Sequence, residues 1–302
     1  MALIPVGPLY TVDGKWSAGG DGGATDAQGV VWQVNSNGTS GIFDTSGNHL
    51  NHTPFNEYDG SQRSKNFSDP LPITIAGSAQ GPNADAIVKA RDTFCGLLED
   101  GNTHDLVVRD INGRTLTIRV EKNGSQKVSP VGYHLDFDYQ FNAIAADPRK
   151  LVSGSTPQII GLPNSSGGLD WATGGGLFWG ASDGNGLLTV TNTGSKDVWP
   201  KWTINGPTDA SNIQNPSITD QGSLRQLLFS DILFAGDVVV INTSPYDRFT
   251  TKNGTPYRRL LTTAQYFPIK AGTTVTVQFG GIATGSPSTA QLTCEAAVAA
   301  IA

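Results

Sequence analysis

The sequence predicts a mainly β protein in two parts, an N-terminal β-sandwich with one packed α-helix (α+β) and a C-terminal all-β sandwich. Three observations carry this. Glycine is abundant at 37 residues, while 37% of residues are hydrophobic and only 15% charged, a composition of short strands and tight turns rather than of disorder. Tyr133, Leu135, Phe137, Tyr139 and Phe141 alternate with His134, Asp136, Asp138, Gln140 and Asn142, a period of two that an amphipathic helix cannot supply. This seam strand runs into Asp147-Pro148-Arg149-Lys150, where the proline removes a ladder donor and restricts its predecessor. One helix stands among strands before it, and only strand patterns and glycine-rich turns follow. Because 302 residues exceed what one core usually organises, the chain is read as two domains, 1–150 and 151–302.

Taken in order, residues 1–70 read mostly as loop. A strand is expected at Val30–Val34, between the turn compositions Ser17–Gly29 and Asn35-Ser36-Asn37-Gly38. The polar stretch Asn51–Pro70, with Arg63 and Lys65, leads to Leu71–Ile75, whose apolar residues alternate. The helix follows. Asn83 suits its N-cap, Asp85 lies in the first turn where the dipole favours a carboxylate, and Ile87, Ala90, Phe94 and Leu98 form the apolar stripe. Asp100-Gly101 is expected to end it. Asp105–Arg109 and Thr115–Glu121 then read as a hairpin across Asn112-Gly113, with Leu106, Val108, Leu116, Ile118 and Val120 on one face.

In the second half, strands are expected at 189–194, 201–204, 213–220, 223–229, 237–241, 258–261, 273–279 and 291–298, at the spacing of a sandwich. Lys252-Asn253-Gly254 reads as a hairpin tip. Cys294 falls on the core face of the last strand with Leu292. Two cysteines, Cys95 and Cys294, are too few for a disulfide framework, and both read as buried free thiols.

The net charge of -6 and a pI near 5.1 argue against a nucleic-acid-binding surface, which needs clustered lysine and arginine. The N-terminal residues lack the basic and apolar regions of a signal peptide, and no stretch approaches the ~20 apolar residues of a membrane span. A soluble protein folding in a cytoplasm is expected. His49 and His52, with Asp44 nearby, lack a third and fourth metal ligand. His104 beside Asp105, and His134 near Asp136, could open a catalytic triad, yet no serine has the context of a nucleophile elbow. Asp136 and Asp138 share a strand face about 7 Å apart, which is either a glycosidase pair or a solvated acidic face, and the second is the plainer reading. Gly174-Gly175-Gly176 lacks the helix and lysine of a phosphate loop. No catalytic residue, metal or cofactor is expected. Trp199 and Trp202 have opposite parity, so one faces outward, and Trp199 and Trp171 are the candidate surface aromatics for contact with a sugar or a protein.

The order of several short motifs resembles siphophage distal tail proteins. In the first half these are Asp59-Gly60 with Arg63, Ile73-Thr74-Ile75-Ala76-Gly77, the alanine-rich helix, the aromatic strand and Ala146-Asp147-Pro148-Arg149. In the second they are Thr191-Asn192-Thr193-Gly194, Pro200 before Trp202, Ile204-Asn205-Gly206, Ala235-Gly236-Asp237 and Lys270-Ala271-Gly272. The resemblance implies a non-enzymatic virion protein of the tail tip, assembled in the host cytoplasm. Its tail-tube-like first domain would form a hexameric ring of its own copies, and its galectin-like or jelly-roll second domain would project outward. The implied partners are the tail tube protein and the tail-tip hub, with the tape measure protein and receptor-binding proteins as further neighbours. Asp136 and Asp138 would then face the lumen through which DNA passes. Two other functions compete: a carbohydrate-binding host-attachment protein using the C-terminal sandwich, and a cell-wall glycosidase using Asp136 and Asp138. The glycine-rich segment Asn164–Gly176 is not explained by the family pattern.

Overall fold

A computed structural model describes residues 7–19, 22–49, 52–54, 59, 61–63, 67–130, 135–153, 157–163, 169–172, 176–179, 186–284, 289–295 and 299–301. The chain is mainly β and divides into two compact units, Met1–Ser153 with Ile301–Ala302, and Gly154–Ala300. The C-terminal strand Ala299–Ile301 extends the sheet of the first unit beside Lys150–Ser153.

In the first unit the seam strand Asp136–Ala145 pairs antiparallel with Leu71–Gln80 over ten residue pairs, Asp136↔Gln80 to Ala145↔Leu71. The order continues through Val31–Ser40, Trp16–Gly19, Leu9–Val12, His104–Arg109 and Thr115–Lys122. The last of these returns to the seam strand through Glu121↔Ile144 and Lys122↔Ala143, so the sheet closes on itself. Closure removes the unpaired edges that an open sheet would expose. The alternation read from the sequence holds, since Phe137, Tyr139, Phe141, Ala143 and Ala145 are buried. It stops short of Leu135, which is 42% exposed and precedes the first paired residue; Tyr133 and His134 lie outside the described residues.

The first forty residues are more ordered than their turn composition suggests. Leu9–Val12 and Trp16–Gly19 form a hairpin, and the strand expected at Val30–Val34 runs on to Ser40. The Asn35–Gly38 stretch is an irregularity inside that strand, where the register against Leu71–Gln80 shifts between Val34 and Thr39. Two glycines permit it. A Cβ on Gly38 would lie 2.1 Å from the Ala76 carbonyl oxygen, and one on Gly77 would lie 1.8 Å from that of Gln33. The polar stretch beyond forms two short ladders, Asn48–His49 with Phe67–Ser68 and His52–Pro54 with Ser61–Arg63.

The helix spans Ala84–Cys95, and the Asn83 side chain accepts from Ala86 N–H at 2.9 Å as its N-cap. It stops at Gly96, five residues before the expected Gly101, because Leu97 and Leu98 turn back into the core with Leu98 at φ 61. Cys95, the last helical residue, lies off the face formed by Ala86, Ala90 and Phe94, so that thiol is exposed, contrary to the expectation of a buried one. Phe94 is fully buried. It packs at 5.6 Å, 5.5 Å and 5.3 Å between ring centroids against Trp16, Trp32 and Tyr139, and Phe141 stacks on Trp16 at 5.5 Å. Each such pair adds about 0.5–1.5 kcal/mol beyond its area burial. The hairpin His104–Arg109/Thr115–Lys122 turns at Asn112-Gly113 as expected, with Gly113 at φ 81 and Leu106↔Ile118 and Val108↔Leu116 paired inside.

The second unit holds two six-stranded sheets. One runs Gln158–Gly161, Gln291–Glu295, Lys201–Asn205, Val238–Asn242, Phe249–Lys252 and Thr255–Pro256. The other runs Leu187–Thr191, Thr274–Thr284, Asn212–Asp220, Gln226–Phe229 and Leu261–Ala264, with Ile232–Leu233 beside Asn212–Asp220. Trp202, Ile204, Leu292 and Cys294 are buried in the first, and Ile213, Ile218, Phe229 and Phe279 in the second. The tip at Asn253-Gly254 has φ 51 and φ 78, the paired positive angles of a tight hairpin turn. The segment expected as a strand at 258–261 is instead a 3-10 turn, Arg258–Leu260, leading into Leu261–Ala264. Within the glycine-rich segment, Leu169–Ala172 pairs with Gly176–Trp179, and Gly174 and Gly175 lie outside the described residues.

Candidate functional site

The outward face of the seam strand is polar from Asp136 to Asn142, with Ile144 at its end. Asp138 is exposed and stands opposite Ser78 and Ser129, while Asp136, half-buried opposite Gln80, keeps Oδ1 buried with no hydrogen-bond partner among the described residues. Farther along, Asn142 is tied by Gln140 Nε2 at 2.8 Å to its Oδ1, by its own Nδ2 to Ser125 O at 2.8 Å and by Gln126, which both accepts from its N–H and donates to its carbonyl. This end of the face is held by hydrogen bonds, whereas at the acidic end Asp138 is exposed. The strand geometry places Asp136 and Asp138 on one face, as the alternation requires.

Three segments meet at His104, a residue the sequence pairs only with its neighbour Asp105. Its Nδ1 bonds to Asp13 and its Nε2 lies 2.6 Å from Asp100 Oδ1, while Asp13 Oδ1 accepts from the Asp105 N–H at 3.1 Å. Carboxylates at both ring nitrogens require both to donate, which is the imidazolium form. The bond to Asp13 first, and that to Asp100, raise the His104 pKa above its usual value despite burial. Burial pushes Asp13 up, but its bonds from His104 and Asp105 outweigh that and hold it low; Asp100 is held low by bonds from Asn102 and His104. Neither nitrogen is left to act as a base. The cluster fastens the turn after the first strand, the turn after the helix and the start of the hairpin.

Lys150, read in the sequence only as part of the proline stop, is 1% exposed and donates to the Asp44 carbonyl. Burial lowers its pKa, and the Asp44 charge opposes the shift. Asp44 Oδ2 accepts from the Gly41 N–H at 2.7 Å, so Asp44 is occupied in a turn rather than aimed at His49. His49 is exposed and the His52 side chain lies outside the described residues; among the described residues no group of three His, Cys, Asp or Glu is placed to hold a metal.

Of the candidate surface tryptophans, Trp199 precedes the strand Lys201–Asn205 and is half-buried, so the parity argument does not reach it. Trp202 is fully buried and packs against Phe267 at 6.2 Å. The Trp171 side chain lies outside the described residues. No described helix is long and apolar enough to cross a membrane.

No protein-family model and no curated protein matches the sequence. Among solved structures, the chain is similar to the SPP1 Dit (gp 19.1) protein, described as a paradigm of the hub adsorption apparatus in phages infecting Gram-positive hosts. The match has 11% identity and a TM-score of 0.57 over 96% of this chain and 98% of that one. A chain of the phage P2 baseplate in its activated conformation with Ca matches at 13% identity over 95% of this chain and 97% of that one, with a TM-score of 0.49. At such identities a match shows the fold, and the resemblance to siphophage distal tail proteins read from the order of motifs is met by a fold shared with SPP1 Dit along nearly the whole chain.

Proposed function

We propose that this chain is a structural protein of a phage tail tip. Copies of it form a hexameric ring that joins the tail tube to the tip hub and conducts DNA. The first unit, residues 1–150 in the sequence reading, makes the ring, and the second projects from it. Tape measure and receptor-binding proteins are its further neighbours, and its place is the virion. The observation that carries this reading is the likeness to SPP1 Dit, which spans both units rather than one sandwich alone. The polar outward face of the seam strand supports it, because a DNA conduit is served by carboxylates such as Asp138 that repel phosphate, not by lysine or arginine that would retain it. Light scattering and negative-stain imaging of the purified full chain test the proposal. Rings with a central opening are expected, and a chain that stays monomeric alone and with its tail tube protein would overturn it.

A further inference from the structure

The second unit is close to neutral, with nine acids and eight bases in residues 154–300, so the placement of its charges decides what it can bind. Its four arginines are all exposed, and all gather on two tyrosines. Arg248 lies over the Tyr266 ring, its guanidinium carbon 3.9 Å from the centroid, and that of Arg258 approaches the same ring at 5.8 Å. Arg225 donates to the Tyr266 carbonyl at 3.3 Å, and the Arg259 guanidinium carbon lies 6.0 Å from the centre of the Tyr257 ring. None of the four forms an ion pair among the described residues, whereas Lys252, on the same stretch of chain, is held by Asp231 and Asp237.

Within residues 244–266 one acid, Asp247, stands against four bases, and with Lys252 neutralised three arginines remain. The surface is therefore locally positive on a balanced unit. A guanidinium laid on a ring face keeps the N–H groups at its edge free, so each of these can still fork onto a carboxylate. Two guanidiniums on one ring also repel each other, and an anion set between them removes that cost. Apolar surface lies alongside. Leu224, the residue before Arg225, is 73% exposed, and Tyr246, two before Arg248, is 56% exposed. Arginine and tyrosine beside exposed apolar side chains are the composition of a protein–protein contact, where those two residue types carry much of the binding energy.

We propose that this arginine–tyrosine surface docks an acidic segment of another protein, one in which carboxylates are interspersed with apolar side chains. Carboxylates fork onto Arg248 and Arg258 across the Tyr266 ring, Arg225 and Arg259 extend the track on either side, and the apolar side chains of the partner cover Leu224 and Tyr246. A phosphate polymer would find the same cations but would leave Leu224 and Tyr246 in water. The surface belongs to the second unit and uses nothing of the ring, so its failure would leave the tail-tip reading standing.

Calorimetric titration of the full chain with a glutamate–tyrosine copolymer at physiological salt tests this, with inorganic polyphosphate as the comparison. Saturable binding of the copolymer is expected, weakened about tenfold by Arg248→Ala with Arg258→Ala. Arg248→Lys with Arg258→Lys keeps the charge but loses the planar fork, and should weaken binding as well. Lys89→Ala with Arg91→Ala, an equal loss of charge on the exposed face of the helix, should leave it unchanged. Circular dichroism establishes that each variant is folded. No saturable binding, wild-type affinity in the lysine variant, an equal loss in the helix variant, or equally tight binding of polyphosphate would each overturn the proposal, the last in favour of a phosphate ligand.

Discussion

His104 Nε2 lies 2.6 Å from Asp100 Oδ1, four residues earlier in the chain, and Asp13 holds its other nitrogen. The raised His104 pKa makes the stabilisation from this contact fully present below the ordinary imidazole value of 6.5, and it is lost as the pH rises through the raised value. Asp13 and Asp100 act at the other end. Held below their ordinary 3.8, they contribute above that value and lose the contribution as the pH falls through their lowered values. Melting curves of wild type and His104→Gln should therefore differ most between about pH 5 and 6.5 and converge as the pH rises past the raised His104 value. A pH-independent difference would show that the imidazole is not charged in the fold.

Phe94 is the helix residue on which the aromatic core closes. Truncation to alanine removes its contacts with Trp16, Trp32 and Tyr139 and leaves a cavity that rings on fixed strands cannot fill. Phe94→Ala should cost about 3–5 kcal/mol in urea unfolding followed by tryptophan fluorescence. A loss below about 1 kcal/mol would mean the helix is not packed as described.

Gly77 is needed for space, not for an unusual backbone angle. Alanine there would drive its Cβ into the Gln33 carbonyl, the same atom that accepts from the Tyr139 hydroxyl at 2.9 Å. Gly77→Ala should destabilise by about 3 kcal/mol or more, since two backbones must part. Gly113→Ala, with nothing within 4 Å but φ 81, should cost less. The reverse order in thermal or chemical unfolding would contradict the close approach.

The two thiols should separate cleanly. Cys95 is exposed and Cys294 is 3% exposed in the core of the second unit. A thiol-reactive dye should label the native protein at one site, which Cys95→Ser abolishes, and reach the second only on unfolding. Rapid labelling of both would contradict the burial of Cys294.

Charge reversal on the seam strand should distinguish its two carboxylates. Asp138→Lys changes an exposed position and should leave the melting temperature within a degree or two, while in assembled particles it slows DNA release if the face lines a lumen. Asp136→Lys places a longer side chain where Oδ1 is buried, and should lower stability measurably. Equal melting temperatures for the two variants would show that Asp136 is as open as Asp138.

The features legible in the sequence are local ones. The alternation of the seam strand, the Asn83 cap, the Asn112-Gly113 and Asn253-Gly254 turns and the core position of Cys294 follow from residue preferences within a few positions, and the structure shows each of them. Helix length was less legible, because the apolar stripe continues to Leu98 whether or not the backbone stays helical. The order of weak motifs also carried the fold resemblance. Tertiary structure alone decided the rest. Gly38 in a turn-like tetrad reads as a loop until the Ala76 carbonyl is seen against it, and Lys150 reads only as part of the proline stop until the Asp44 carbonyl is found at its end. His104 reads as one half of a pair with Asp105 until the closing sheet brings Asp13 to it across 91 residues, as it brings Tyr139 to Gln33 across 106. Such contacts depend on which strands become neighbours when the sheet closes, and no periodicity within one strand records its neighbours.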